Sequence, residues 1–199
     1  IRIFVVIMKN WICIVMLLLA GILHAQDNQT DAKGKKTGKW VVKYENGKTR
    51  YTGTFKEGKP TGEFVYYHED GSLKCKMNFR SDNKTAYAVY YSEAGSMMSE
   101  GKFIDQKKDS TWVYYDDNGV KTYTQEYVND LEDGMKTVYY LSGKKSEEFT
   151  YVKGKKEGLW KQYFESGKTR QEGYYENDLL KGDVFLYNGS GKTEQILTY

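Results

Sequence analysis

Glycine recurs every 24 residues along most of this chain, and that spacing leaves little freedom in what the chain can fold into. The series is Gly47, Gly71, Gly95, Gly119, Gly143, Gly167 and Gly191. Four residues before six of them stand Tyr67, Tyr91, Tyr115, Tyr139, Tyr163 and Tyr187, with Lys43 as the exception. Eight residues after them stand Phe55, Phe79, Phe103, Tyr127, Tyr151, Tyr175 and Tyr199, without exception. Self-similarity at a fixed period of this length marks a repeat architecture. Seven units divide residues 32–199 as 32–55, 56–79, 80–103, 104–127, 128–151, 152–175 and 176–199, with no linker and no second domain.

Each unit reads as one β-hairpin. The stretch before the marker glycine is aromatic and β-branched, as in Phe64-Val65-Tyr66-Tyr67 and Trp112-Val113-Tyr114-Tyr115, which suits a pleated, half-buried surface. Asn46-Gly47, Asp70-Gly71 and Asn118-Gly119 predict tight turns in which both central residues take positive φ. A second strand ends at the Phe or Tyr of the later series. A second turn then leads to the next unit, and its third residue is Gly58, Asp82, Gln106, Asp130, Gly154 or Asp178. Pro60, the sole proline, falls in that turn. No apolar stripe of helical period runs through any unit. A lone hairpin is marginal in water, so seven in tandem predict an all-β fold of about fourteen strands: one elongated, twisted antiparallel sheet.

Strand alternation sorts the side chains. Trp40, Phe64, Trp112 and Trp160 take one face; Val41, Val65, Val89, Val113 and the tyrosine series from Tyr67 take the other. The tyrosines are expected to pack as a ladder between neighbouring hairpins. The indoles admit two roles, core or an exposed binding stripe, and Phe64, Trp112 and Trp160 are the candidate binding face. The third unit, with Ala86 and Ala88, and the fifth, with Lys136, break the pattern and are expected to be soft points.

The 19 Tyr, 8 Phe and 4 Trp argue for a packed fold in spite of low hydropathy and high charge. Met8 and Lys9, thirteen apolar residues from Trp11 to Leu23, and Ala25 describe a secretory signal over residues 1–25 with its true start at Met8. The expected location is therefore exported: periplasm, cell surface or secreted. The alternative is an anchor left uncleaved. Residues 26–31 are a polar lead, expected to be disordered. Without Arg2 and Lys9, the 30 basic residues become 28 against 27 acidic, a net of +1. That excludes the basic footprint of a nucleic-acid binder and disfavours a lipid surface. Cys75 is then the sole thiol, so no disulfide framework exists.

The repeat Gly-x-Trp-x-x-Tyr-x-x-x-Gly, as in Gly158, Trp160, Tyr163 and Gly167, resembles the MORN repeat, and more closely its bacterial variant in YwqK-type antitoxin-like proteins. The resemblance runs through all seven units. It implies the hairpin solenoid, protein scaffolding or lipid contact, and, for the bacterial variant, the antitoxin half of a toxin–antitoxin pair.

No catalytic, cofactor or metal site assembles from the residue types present. His68 is the one histidine beyond the signal, without a Ser/Asp or Cys partner at useful spacing and without metal-ligand spacing. The acid pairs Asp116-Asp117, Glu132-Asp133 and Glu147-Glu148 read as solvated turn charges. The expectation is a protein that is not an enzyme and that uses its sheet to bind another protein. The alternative is a glycan- or cell-wall-binding array, in which aromatic rings stack on sugars.

Overall fold

The computed structural model describes residues 27–82 and 84–199; the signal segment and its start at Met8 lie outside them. The strands are β1 Gln29–Thr30, β2 Lys36–Lys43, β3 Thr49–Lys56, β4 Lys59–Tyr67, β5 Leu73–Phe79, β6 Thr85–Tyr91, β7 Met97–Ile104 and β8 Lys107–Tyr115, then β9 Lys121–Val128, β10 Leu131–Tyr139, β11 Lys145–Val152, β12 Lys155–Tyr163, β13 Thr169–Glu176, β14 Leu179–Tyr187 and β15 Thr193–Thr198. They form one open antiparallel sheet in strict sequence order, from β1 at one edge to β15 at the other. Among the described residues there is no helix. The all-β expectation of one long sheet holds, with one strand more than the seven hairpins supply.

That extra strand corrects the expectation of a disordered lead. Gln29 and Thr30 pair with Thr37 and Lys36. The Asn28 carboxamide accepts from Val41 N at 2.7 Å and donates to Val41 O at 2.9 Å, standing in for a neighbouring backbone. A short polar segment thus satisfies edge groups of β2 that would otherwise invite pairing.

The two turn types are the reverse of what Asn-Gly suggested. In Tyr44–Lys48 only Gly47 has positive φ, at 82°. Gly47 N donates to Tyr44 O and Tyr44 N to Lys48 O, and the register shifts between Val42 and Lys43. This is a type I turn with a glycine bulge. Asn46 serves it by its side chain, which accepts from Lys48 N. The paired left-handed residues occur instead between units: Asp105 and Gln106, Asn129 and Asp130, Asn177 and Asp178 all have positive φ.

One face, here called the front, carries the packed aromatics. Its central row pairs Trp40 with Gly53, Phe64 with Met77, Ala88 with Gly101, Trp112 with Gln125 and Trp160 with Gly173. Large and small side chains are complementary from unit to unit as well. A Cβ on Gly53 would lie 2.3 Å from the Phe64 ring, and one on Gly101 2.2 Å from the Trp112 ring. Each ring lies flat over bare backbone of the preceding strand. Where that strand brings Met77, the next unit answers with Ala88.

The buried residues form two clusters. One joins Cys75, Ala88 and Trp112 with Met77, Phe103 and several tyrosines. The other joins Phe149, Tyr151, Trp160 and Val184. Between them lies β10, the first strand of the fifth unit, where Lys136 faces a fully buried Gln125.

Candidate functional site

The third unit departs from the others in backbone as well as side chain. Elsewhere the position of Gly62 takes positive φ and interrupts the pairing with the preceding unit. Ala86 does not, and β5 pairs with β6 in unbroken register from Cys75–Tyr90 to Phe79–Ala86. The loop that precedes β6 is built around Asp82, whose Oδ1 accepts from Lys84 N and Thr85 N. Those bonds, with that from the Thr85 hydroxyl, hold its carboxyl down at about 2.

With a methyl group at Ala88 where most other units place a bulky side chain, and Ala86 in its wall, the front face opens into a cleft of about 630 Å³. Tyr51, Phe55, Phe64, Met77, Phe79 and Phe103 line it, and Lys59, Lys84 and Asp105 stand at its rim. In the first, fourth and sixth units a lysine at one repeat position covers front-face rings: Lys36 Nζ is 4.3 Å from the Trp40 ring centre, Lys108 4.4 Å from Trp112 and Lys156 4.1 Å from Phe149, the ring beside Trp160. Ammonium over a ring is a favourable contact. The second unit has Pro60 in that place, which supplies no such cover.

The cleft runs on into two further hollows. One of about 350 Å³ shares Tyr51, Tyr66 and Met77 with it and adds Arg50, Cys75 and Tyr90. The next, of about 920 Å³, shares Tyr44, Arg50 and Lys74 and adds Lys43, His68 and three glutamates, Glu45, Glu69 and Glu93. One groove therefore passes from an apolar end at the inter-unit turns to a mixed-charge end at the hairpin turns. In its middle, beside Arg50 and Lys74, burial pushes the Cys75 thiol up to about 11 and the Tyr90 phenol up to about 12, so neither carries charge at ordinary pH. Cys75 is buried at 3% exposure, more deeply than a half-buried strand residue. His68 Nε2 donates to Tyr91 O at 3.0 Å, a bond that joins one hairpin turn to the next unit; Tyr44 makes the same link to Tyr67 O.

Phe64, Trp112 and Trp160 are not an exposed stripe. They are 1%, 1% and 7% exposed. Phe64 is held edge-on between Phe55 and Phe79, at 5.2 and 5.1 Å; Trp112 meets Phe103 at 5.0 Å. The Trp160 indole N–H donates to Glu147. The rings lie down because the preceding strand offers glycine at the point of contact, or in Trp160 a flat partner in Phe149. Of the three candidates, the cleft uses only Phe64, as floor. The later aromatic series shares this face, as Phe55, Phe79, Phe103, Tyr127 and Tyr175 do through their ring or lysine contacts.

The earlier tyrosine series lies on the back face, half-buried, and is not a ladder of stacked rings. Its members are tied across strands by their hydroxyls: Tyr115 donates to Glu100 at 2.7 Å, Tyr187 to Glu172 at 2.6 Å, and Tyr163 to Glu148. Each bond spans 15 residues, so it needs Glu on the strand before. Lys76 and Thr124 stand there for Tyr91 and Tyr139, and Lys121 covers the Tyr139 ring instead. Glu147 and Glu148 are accordingly strand residues in β11 with specific partners, as Glu132 is a residue of β10, rather than solvated turn charges.

Three segments, 36–57, 60–81 and 156–177, match the family described as MORN repeat variant. Their starts differ by one and by four steps of 24, in phase with the glycine series. They cover 66 residues, a third of the chain, and the first two line the groove. No curated protein matches the chain.

Proposed function

We propose that this chain is a non-enzymatic interaction scaffold of the bacterial envelope or periplasm, and that it docks another protein in the groove of its first three units. The cleft over Ala86 carries the reading. It is apolar, lined by rigid rings that cost little entropy to order, and rimmed by charge, which is the make-up of an interface hot spot. Its graded polarity suits a protein segment with an aromatic or aliphatic anchor at one end and charged residues at the other. The MORN repeat variant matched by the first two units is a type of repeat associated with protein and membrane contacts, which supports the same class of role. An antitoxin-like pairing is the narrower case in which the docked protein is a toxin met outside the cytosol.

The second reading is a glycan. Tyr51, Tyr66, Tyr90 and Tyr114 occupy one row beside the cleft, all partly exposed, and a row of phenols suits the stacking of sugar rings.

The deciding experiment captures ligands from an envelope extract on immobilised parent and on Ala86→Leu, which fills the cleft. A protein retained by the parent and lost by the variant, with melting unchanged, is the expected result. Retention on purified cell wall instead of protein would favour the glycan. Capture indifferent to Ala86→Leu would remove the cleft from the mechanism. Export is tested by mass spectrometry of the mature protein, for which Gln26 is the expected new terminus; an intact Met8 start in the cytosol would overturn it.

A further inference from the structure

The back face is unlike in its two halves. Alternation places Val128, Leu131, Met135, Leu159, Tyr174 and Leu179 there, since Tyr127, Lys136, Trp160 and Tyr175 point to the front. All six are exposed, Met135 at 41%, Tyr174 at 48% and Leu159 at 52%. They lie along one run of this face: Val128 pairs with Leu131, Glu126 joins that pair to Met135, Met135 pairs with Thr150, Thr150 packs against Gly158 beside Leu159, Leu159 pairs with Tyr174, and Leu179 pairs with Glu176, the next residue of β13 on this face. The first units are the internal comparison. The same repeat positions there hold Lys39, Thr54, Lys56, Lys59, Glu63, Asn78 and Arg80. An apolar residue is therefore not required by the hairpin at these places.

We propose that this surface of the fifth to seventh units binds a second copy of the chain, back to back about a two-fold axis. The six side chains leave on the order of 600 Å² uncovered. That is at the top of the range for the largest apolar patch of a monomer and most of the roughly 800 Å² that each partner gives to a standard interface. Several charges around the patch are engaged within their own sheet: Lys161 pairs with Glu172 at 3.0 Å and Lys181 with Glu176 at 2.7 Å, the Glu126 carboxylate accepts from Met135 N, and Lys155 donates to the Asn177 carboxamide. A copy thus meets charges that already have partners, and of both signs. A two-fold contact places the same patch on both partners, so Leu159 and Tyr174 of one sheet meet apolar side chains of the other, at the spacing of packed sheets. The basic first units exclude the competing alignment, in which Lys56, Lys59 and Arg80 would lie on the apolar patch of the partner and lose water without gaining a counter-charge. The groove of the first three units stays free on the other face, so the pair presents two docking grooves.

Sedimentation of the parent and of Leu159→Lys over a range of concentrations tests this. The parent is expected to sediment as a dimer, and the variant to dissociate at least about tenfold more readily, since a lysine at the centre of an apolar contact is buried without a partner. Met135→Lys, on a different strand, repeats the test should Leu159→Lys disturb folding by circular dichroism. Thr54→Lys, at the position of Tyr174 in the first unit, is expected to leave the dimer intact. A parent that stays monomeric at its highest soluble concentration, or a dimer indifferent to both lysines, would overturn the proposal. So would retention of a different protein by this patch with the chain monomeric. Ala86→Leu leaves this association unchanged, which separates it from the groove.

Discussion

Ser110 holds the bulge position that glycine holds in most other units, and it does so at φ 60°. A left-handed backbone costs an L-residue about 1–2 kcal/mol, and the Ser110 hydroxyl recovers little through an exposed bond to Asp109. Ser110→Gly is therefore expected to raise stability by about 1 kcal/mol, read as a higher urea midpoint at unchanged slope. An unchanged midpoint would mean that the strain is already relieved. Gly101 is the opposite case. Its φ is ordinary, but its missing Cβ is the room that the Trp112 ring occupies. Gly101→Met is expected to destabilise by roughly 3 kcal/mol or more through overpacking. Adding Trp112→Ala should restore part of that loss, because the pair then copies Met77 with Ala88. A double-mutant cycle in denaturant measures the coupling, and additive costs would refute the complementarity.

Between strands, the ties are set by which residue faces the tyrosine hydroxyl. Tyr163→Phe removes a donor from the Glu148 carboxylate and is expected to cost about 1.5 kcal/mol. Tyr139→Phe has no such acceptor in Thr124 and should cost under half as much; equal costs in thermal melts would show that the rings alone matter. The break between the two clusters is the other feature at this scale. Gln125 is fully buried, its Nε2 donates to Glu126 O, and its Oε1 has no partner. An orphaned buried polar atom costs roughly 1–3 kcal/mol. Gln125→Met keeps the shape and removes the orphan, so a higher melting temperature is expected; a lower one would show that the amide has an acceptor role within the fold.

Across the whole sheet, many phenols are shifted in one direction, upward. Burial first, then glutamate neighbours, raise Tyr115 to about 12, and the Tyr163 and Tyr187 phenols are raised through the same contacts, with burial leading in Tyr163 and the Glu172 bond in Tyr187. Tyr66, Tyr90, Tyr151 and Tyr175 on the front are raised by burial. A folded pKa above the ordinary 10 means stability that is complete below pH 10 and lost as pH rises through the folded values. The expected outcome is alkaline unfolding in which tyrosinate absorbance and loss of β-signal in circular dichroism rise together above pH 10. Tyrosines that ionise well before the sheet is lost would contradict it. At the acid end Glu172, held below its ordinary value by the Tyr187 and Lys161 bonds, contributes above pH 4.5 and ceases to do so as pH falls through its folded value.

The period of 24, the hairpin in each unit, the single sheet and the two aromatic series were all legible in the residues, because turn chemistry and alternation are local and each unit repeats the evidence. Ala86 and Ala88 were legible too, but only as a defect. That the defect is a cleft follows from neighbouring units, whose rings at Phe55, Phe64, Phe79 and Phe103 border the space without filling it. Burial of Phe64, Trp112 and Trp160 was likewise beyond the pattern of one strand. An indole on a sheet face is core or binding stripe according to what the strand before it brings, and that strand brings Gly101 beneath Trp112 and Phe149 beside Trp160. The Asn-Gly turns misled for a similar reason: the dipeptide fits two turn types, and strand register decides between them. The sequence by itself determined where the chain turns and which residues share a face. The tertiary structure decided which face is filled and where it is left open, since one sheet without a second layer must build its core from the fit between successive hairpins.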